Sequence, residues 1–142
     1  MDSAKNAIFK NLIQRKDISM ATRKFYTPDG KKDSIELNKD YDSAKSFDKA
    51  GKLKVGALGV YYPDILRTKF VPFEGTERVF IRIHEVEGKM CCGSTFFQYF
   101  RLVFVRNGKE TADYMCEDRA MLDGVLKEIA AKAPAVAIGY TA

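Results

Sequence analysis

The chain has 142 residues, of which 46% are apolar and 30% charged, a size and composition typical of one globular domain. No run approaches the ~20 consecutive apolar residues of a membrane-spanning helix. The N-terminus lacks the basic segment followed by an apolar run that marks a signal peptide. Three cysteines, two of them adjacent, make a poor disulfide framework, so we expect one soluble domain in a reducing, cytoplasmic compartment.

The positive charge is concentrated in the N-terminal part of the chain. Residues 1–55 hold 13 Lys and Arg against 8 Asp and Glu, a difference of +5, whereas residues 56–142 hold 11 of each. This pattern is typical of a solvated, lysine-rich surface. It leaves open a weak anion, nucleic-acid or membrane-surface binding patch.

The first 53 residues predict a mixture of helix and strand. Apolar residues at three-to-four spacing predict a helix over residues 4–16. Residues 20–27 predict a short strand, and Pro28-Asp29-Gly30 predicts the turn that ends it. A second helix is expected within residues 38–50, starting at Asn38 or Asp40.

From Leu53 onward the apolar residues recur at a period of two, which predicts an antiparallel sheet. Pro63-Asp64 is expected to be the turn between the first two strands. Asn107-Gly108 suits a type I′ hairpin turn before the last one, because both residues tolerate positive φ. The strands are predicted at residues 53–62, 66–73, 78–86, 96–106 and 109–116.

The fourth of these strands is apolar on both faces, since Phe100, Leu102 and Phe104 alternate with Tyr99, Val103 and Val105. A sheet that faces water on one side alternates more cleanly, so the second face needs a cover. The N-terminal helix is the expected cover.

A helix is predicted from Asp118 to Lys132, because its apolar residues form one stripe and Asp118 can cap its first turn. Residues 136–140 are expected to pair as an edge strand. The predicted fold class is therefore α+β, an antiparallel sheet closed by a C-terminal helix.

This order of elements resembles the pleckstrin-homology-like (PH-like) fold, and residues 54–140 are similar to small bacterial PH-like domains. The segments that carry the resemblance are Glu77-Arg78-Val79-Phe80, residues 88–93 and Pro134 with Ile138-Gly139-Tyr140. The resemblance implies a partly open antiparallel barrel capped by the C-terminal helix. Residues 1–53 would then be an N-terminal helical extension of a single domain. It also implies a binding or scaffold module rather than an enzyme.

The adjacent pair Cys91-Cys92 is the most unusual local feature. It is expected in a loop bounded by Gly88 and Gly93, where Lys89 could lower the pKa of a thiol. Redox activity is one reading, although the pair lacks the two-residue spacer of a redox or zinc motif. Packed structural cysteine is the simpler interpretation.

His84 is the only histidine, and it shares a predicted strand face with Arg82. Three cysteines and this histidine form a chemically permitted zinc set, namely His84, Cys91, Cys92 and Cys116. Its spacing matches no common zinc pattern, so we predict no metal and no cofactor.

Aromatic and basic residues around Tyr99 and Arg101 could stack on single-stranded nucleic acid. A sheet packed on both faces explains the same residues more simply, so we do not favour nucleic acid as a partner.

We therefore predict a non-enzymatic module that binds a protein or peptide, or that self-associates. The alternatives left open are a redox or metal-dependent protein and an anion or membrane-surface binder. The candidate binding residues are Arg82, His84, Lys89, Cys91, Cys92 and Gly93.

Overall fold

The computed structural model describes residues 23–32, 34–90 and 93–139. These residues form a mixed α+β structure, mostly strands, with two sheets and two helices. In chain order the elements are β1 (Phe25–Thr27), β2 (Gly30–Lys32), α1 (Ile35–Ser43), β3 (Lys45–Ser46), β4 (Lys54–Val55), β5 (Gly59–Asp64), β6 (Arg67–Pro72), β7 (Thr76–Met90), β8 (Gly93–Arg106), β9 (Lys109–Cys116), α2 (Arg119–Lys132) and β10 (Ala137–Ile138).

The described strands form a six-stranded sheet of order β2-β1-β6-β5-β4-β3 and a four-stranded sheet of order β10-β7-β8-β9. Neighbouring strands are antiparallel, except that β1 runs parallel to β6 and β10 parallel to β7. The α+β class with antiparallel sheet content is confirmed. Within the described ranges the strands do not close into a barrel.

β5 is the strand that separates two apolar cores. Val60 and Tyr62 pack into the larger core, together with α2 and the four-stranded sheet, whereas Tyr61 packs into the smaller core beneath α1. All three side chains are at most 1% exposed. A strand buried on both faces reads as a continuous apolar run, as residues 60–62 do.

α2 covers one face of the four-stranded sheet, as the apolar stripe predicts. The Asp118 carboxylate caps the helix by accepting a hydrogen bond from the Met121 amide at 3.1 Å. Leu122, Val125 and Ile129 are fully buried in the larger core. On the opposite face of the sheet Val103 is also fully buried. The helix expected to cover that face, over residues 4–16, lies outside the described residues.

The turns and the last strands follow the sequence closely. β9 spans the predicted residues, and Asn107 and Gly108 have φ values of +52° and +73°. A turn precedes Gly30 as expected, and β10 pairs within the predicted edge segment. Of the strand predicted over residues 20–27, residues 25–27 are confirmed, residues 23 and 24 are not in a strand, and residues 20–22 lie outside the described part.

The helix predicted within residues 38–50 is wrong in its bounds, since α1 spans Ile35–Ser43. The Ser34 hydroxyl accepts a hydrogen bond from the Leu37 amide at 3.0 Å, which starts the helix earlier. After it, Lys45 and Ser46 pair with β4 as a short strand.

The single strand predicted over residues 53–62 is also wrong, because residues 56–58 leave the ladder between β4 and β5. The Asp40 carboxylate accepts hydrogen bonds from the amides of Ala57 and Leu58, at 2.8 and 3.1 Å, and holds that loop. The predicted turn at Pro63-Asp64 is two residues too early, since both residues pair in β5 and the turn is Ile65-Leu66.

Candidate functional site

β7 and β8 continue as a two-stranded ribbon beyond their neighbours. β10 pairs with β7 only at Arg78 and Val79, and β9 pairs with β8 only between Phe100 and Arg106. Residues 83–90 of β7 and 93–99 of β8, called here the distal ribbon, therefore have no third strand beside them in the described part of the chain. Strand edges of this kind present backbone donors and acceptors to a further strand.

Of the candidate binding residues, Arg82, His84, Lys89 and Gly93 lie on these two strands, whereas Cys91 and Cys92 are outside the described residues. β7 extends to Met90 and β8 starts at Gly93, so both strands are longer than predicted. Gly88 belongs to the ladder, and the expected loop over residues 88–93 shortens to a two-residue connection. Lys89 pairs with Ser94 beside that connection.

The Arg82 side chain forms an ion pair with Glu110. Its two terminal nitrogens donate to the Glu110 carboxylate at 2.8 and 3.0 Å, a two-point contact from β7 to β9. His84 lies two residues further along β7, exposed and opposite Tyr99. The strand therefore places the two side chains on one face but gives them different surroundings.

The four-residue zinc set is not brought together by the described strands. His84 pairs with Tyr99, whereas Cys116 pairs with Phe100, the next residue of β8. Because successive residues of a strand point to opposite faces, His84 and Cys116 project from opposite sides of the sheet. Burial raises the pKa of the Cys116 thiol, which disfavours the thiolate that binds metal or reacts.

The two edges of the distal ribbon differ in charge. Residues 83–90 include two Glu and one Lys, whereas residues 93–99, Gly-Ser-Thr-Phe-Phe-Gln-Tyr, contain no charged residue and no proline. Natural sheets usually protect a free edge with lysine, proline or a bulge. Ile83 and Val86 of the ribbon are also 48% and 40% exposed.

This edge is not among the sequence predictions, because its exposure depends on where β9 stops pairing with β8. The signal was present: seven consecutive uncharged residues rich in strand formers follow directly on Cys92.

No protein-family model, curated protein or solved structure matches the chain. Neither helix of the described residues is long and apolar enough to cross a membrane. The function is therefore argued from the side chains and strand edges described above.

Proposed function

We propose that this chain is a non-enzymatic binding module of PH-like architecture. It recruits an extended protein segment by strand addition to the outer edge of β8, over residues 93–99. A second copy of the same edge is one such segment. Strand addition supplies affinity through main-chain hydrogen bonds and leaves selectivity to the side chains on either face.

The observation that carries this proposal is a strand edge that no described strand covers, combined with an uncharged sequence. Seven residues extend over ~24 Å, and an added strand would form roughly six backbone hydrogen bonds with them. With no charge in this segment, two antiparallel copies of it meet without repulsion. Antiparallel pairing of identical segments is compatible with a two-fold symmetric dimer.

The PH-like part of the proposal is supported by the order of the elements. β4, β5 and β6 are consecutive antiparallel neighbours, as are β7, β8 and β9, and α2 follows directly and packs into the core. The resemblance is to a succession of antiparallel strands capped by one C-terminal helix, and it implies a binding module.

A synthetic peptide with the sequence of residues 93–99, labelled at one end, tests strand addition directly. We expect saturable binding to the full chain, measured by fluorescence anisotropy. The same peptide with methylated backbone nitrogens is the matched control, because it keeps every side chain and loses its donors. Equal binding of both peptides, or no binding of either, would refute strand addition.

The double substitution Phe96→Lys/Gln98→Lys places two positive charges on the outer edge of β8 without electrostatic repulsion from β7. In the ladder these positions pair with Glu87 and Glu85, so each new lysine faces a carboxylate. We expect at least about tenfold weaker peptide binding and less self-association in light scattering. Phe96→Thr/Gln98→Thr, which adds no charge, should retain most of the peptide binding and most of the self-association. If both double variants lost binding to the same extent, the role of charge at the edge would be contradicted.

A further inference from the structure

The β5–β6 hairpin carries two aliphatic side chains at its turn that are almost fully exposed. Ile65 is 91% and Leu66 97% exposed, and together they form the turn between Asp64 and Arg67. Ile65 also has a φ of +53°, which glycine and asparagine adopt readily and a β-branched residue adopts only under strain. Packing within the described fold therefore does not account for these two residues, called here the hairpin tip.

An apolar cleft of about 560 Å³ lies at the other end of the same hairpin. Its apolar lining consists mainly of the buried Leu37 and Phe70 and the half-buried Leu58, Pro72 and Phe73. Pockets of roughly 300–1,000 Å³ with such a lining bind compact apolar groups. The cleft therefore has room for two aliphatic side chains.

The ladder between β5 and β6 sets the separation of the hairpin tip from the cleft. Gly59 pairs with Pro72 beside the cleft, and Asp64 pairs with Arg67 at the tip. The two ends therefore lie ~17 Å apart along the strands. Because the tip points away from the cleft, a chain cannot place its own tip in its own cleft. A contact between the two surfaces joins two copies of the chain.

The cleft carries unpaired negative charge. Glu36 and Glu74 line it and are exposed, and neither carboxylate forms an ion pair with a described residue. Lys32 also lines the cleft, so two carboxylates stand against one ammonium group. A partner segment that brings positive charge beside its apolar residues complements this surface.

The hairpin tip is flanked by such positive charge. Arg23 and Lys52 line the depression beside Ile65 and Leu66. The Arg23 guanidinium lies 4.2 Å from the centre of the Tyr41 ring, a contact that positions the cation without neutralising it. Arg67 makes no such contribution, because the Asp64 carboxylate pairs with it at 3.1 Å.

We propose that the hairpin tip of one copy inserts into the apolar cleft of a second copy. Ile65 and Leu66 fill the cleft, while the flanking cations face the carboxylates on its rim. Because the contact uses two different surfaces, each bound copy leaves one tip and one cleft free. Assembly is therefore head-to-tail and continues into a chain of copies instead of stopping at a dimer.

The contact is small, so the assembly is weak and depends on concentration. A stable protein interface buries ~800 Å² on each partner, more than a projection of two residues offers. Both surfaces belong to the part of the chain that forms the six-stranded sheet. The inference is therefore independent of the strand addition proposed for β8.

Sedimentation velocity over a concentration series tests the inference on the full chain carrying Phe96→Lys/Gln98→Lys, which removes the contribution of the β8 edge. We expect the mean sedimentation coefficient to rise with concentration beyond that of a dimer. Ile65→Asn/Leu66→Ser in this background should weaken association roughly a hundredfold, about tenfold for each apolar side chain. Asparagine suits the positive φ at position 65, so this variant is expected to fold, which circular dichroism checks. Met115→Ser, which removes an exposed apolar side chain of β9, should leave association unchanged.

The cleft has its own matched pair of variants, made in the same background. Ala57 lines the cleft and is exposed, so Ala57→Arg fills the cleft and adds positive charge without disturbing a buried side chain. We expect it to weaken association at least about tenfold, whereas Ala57→Ser should not. Ile65→Asn/Leu66→Ser keeps its cleft and Ala57→Arg keeps its tip. A mixture of these two variants should therefore form a 1:1 complex and nothing larger.

The absence of tryptophan from the chain offers a direct reporter of insertion. In dilute Leu66→Trp the only indole stands at the tip. Its emission should shift to shorter wavelength when an excess of the background chain is added, and should not shift with an excess of Ala57→Arg.

Three results would each overturn the inference: no association of the background chain, unchanged association of Ile65→Asn/Leu66→Ser, or a mixture of tip and cleft variants that stays monomeric. If Phe96→Lys/Gln98→Lys alone abolished all self-association, the tip contact would be refuted and the β8 edge would stand. If chains of copies formed while the peptide of residues 93–99 did not bind, strand addition would be refuted and the tip contact would stand.

Discussion

Replacing Asp40 by asparagine tests how α1 is held to the loop between β4 and β5. The Asp40 side chain is buried, and its carboxylate accepts three hydrogen bonds. The donors are the Ala57 amide at 2.8 Å, the Leu58 amide at 3.1 Å and the Tyr61 hydroxyl at 2.7 Å. Gly56 packs directly on the carboxylate, where a Cβ would collide with Oδ2, so the side chain has little room to shift.

The size of the effect follows from which atom is changed. Asparagine can keep the oxygen that accepts from Ala57, but its amide nitrogen replaces Oδ2, which accepts from Leu58 and Tyr61. The Tyr61 hydroxyl has a second acceptor, the Leu37 carbonyl at 3.3 Å, whereas the Leu58 amide loses its partner. Losing a hydrogen bond to a charged group and leaving a partly buried donor unpaired costs about 2–4 kcal/mol together.

Urea denaturation followed by circular dichroism measures this cost as a fall in the free energy of unfolding. Asp42→Asn is the matched control, because Asp42 lies on the same helix and is exposed, so its substitution should change stability by at most about 0.5 kcal/mol. If Asp40→Asn were as stable as this control, the carboxylate would not anchor the loop and the reasoning would be refuted.

Three further predictions concern single groups. Gly124→Ala should raise the free energy of unfolding by about 1 kcal/mol, because the new Cβ would meet the nearest side chain at an ordinary distance of 3.5 Å. Gly59→Ala should lower it by about 2 kcal/mol, because the new Cβ would collide with the Val71 carbonyl. Similar denaturation midpoints for the two variants would contradict this prediction. Burial raises the pKa values of Tyr61 and Tyr62 above the ordinary 10.0. The stability that their neutral hydroxyls contribute is therefore fully present below pH 10 and falls by about 2.7 kcal/mol per pH unit above it. Denaturation series at rising alkaline pH measure this fall, and ionisation of all tyrosines near pH 10 without unfolding would disprove it. The raised pKa of Cys116 predicts slower alkylation of this thiol than of a free cysteine at mildly alkaline pH, and an equal rate would argue against its burial.

The elements that could be predicted from the sequence are those encoded by their own residues. β9 begins directly after Asn107-Gly108, a pair that suits positive φ and therefore sets where the hairpin turns. α2 begins at its Asp118 cap and continues along one apolar stripe. In both cases the local signal and the packing agree, so the predicted and observed bounds coincide within one residue.

The bounds of α1 could not be read in the same way, because its buried face is partly polar. Leu37 and Tyr41 are buried beside Asn38 and Asp40, so apolar periodicity does not mark the helix. The break at residues 56–58 has the same origin, since it depends on hydrogen bonds to a residue 17 positions earlier in the chain. A contact of this kind has no local signature.

The candidate sites were predicted less well than the fold. The adjacent cysteines lie between the two strands of this hairpin, but the part of the β8 edge that no described strand covers depends on where β9 ends. The sequence predicts the turn at Pro63-Asp64 and a strand from Leu66 onward, because aliphatic residues usually indicate a strand. Only the fold shows that Ile65 and Leu66 form the turn itself and are exposed.

Two departures from local preference are present in the described fold. Ile65 keeps a positive φ that asparagine would adopt with less strain, and residues 93–99 leave an edge that one lysine would protect. Neither departure improves packing, because the turn is exposed and neither apolar core, among the described residues, includes the distal ribbon. Local choices that a fold does not need are expected where a surface serves binding. Asp40 is the contrasting case: its burial is compensated by three hydrogen bonds, so it serves the fold.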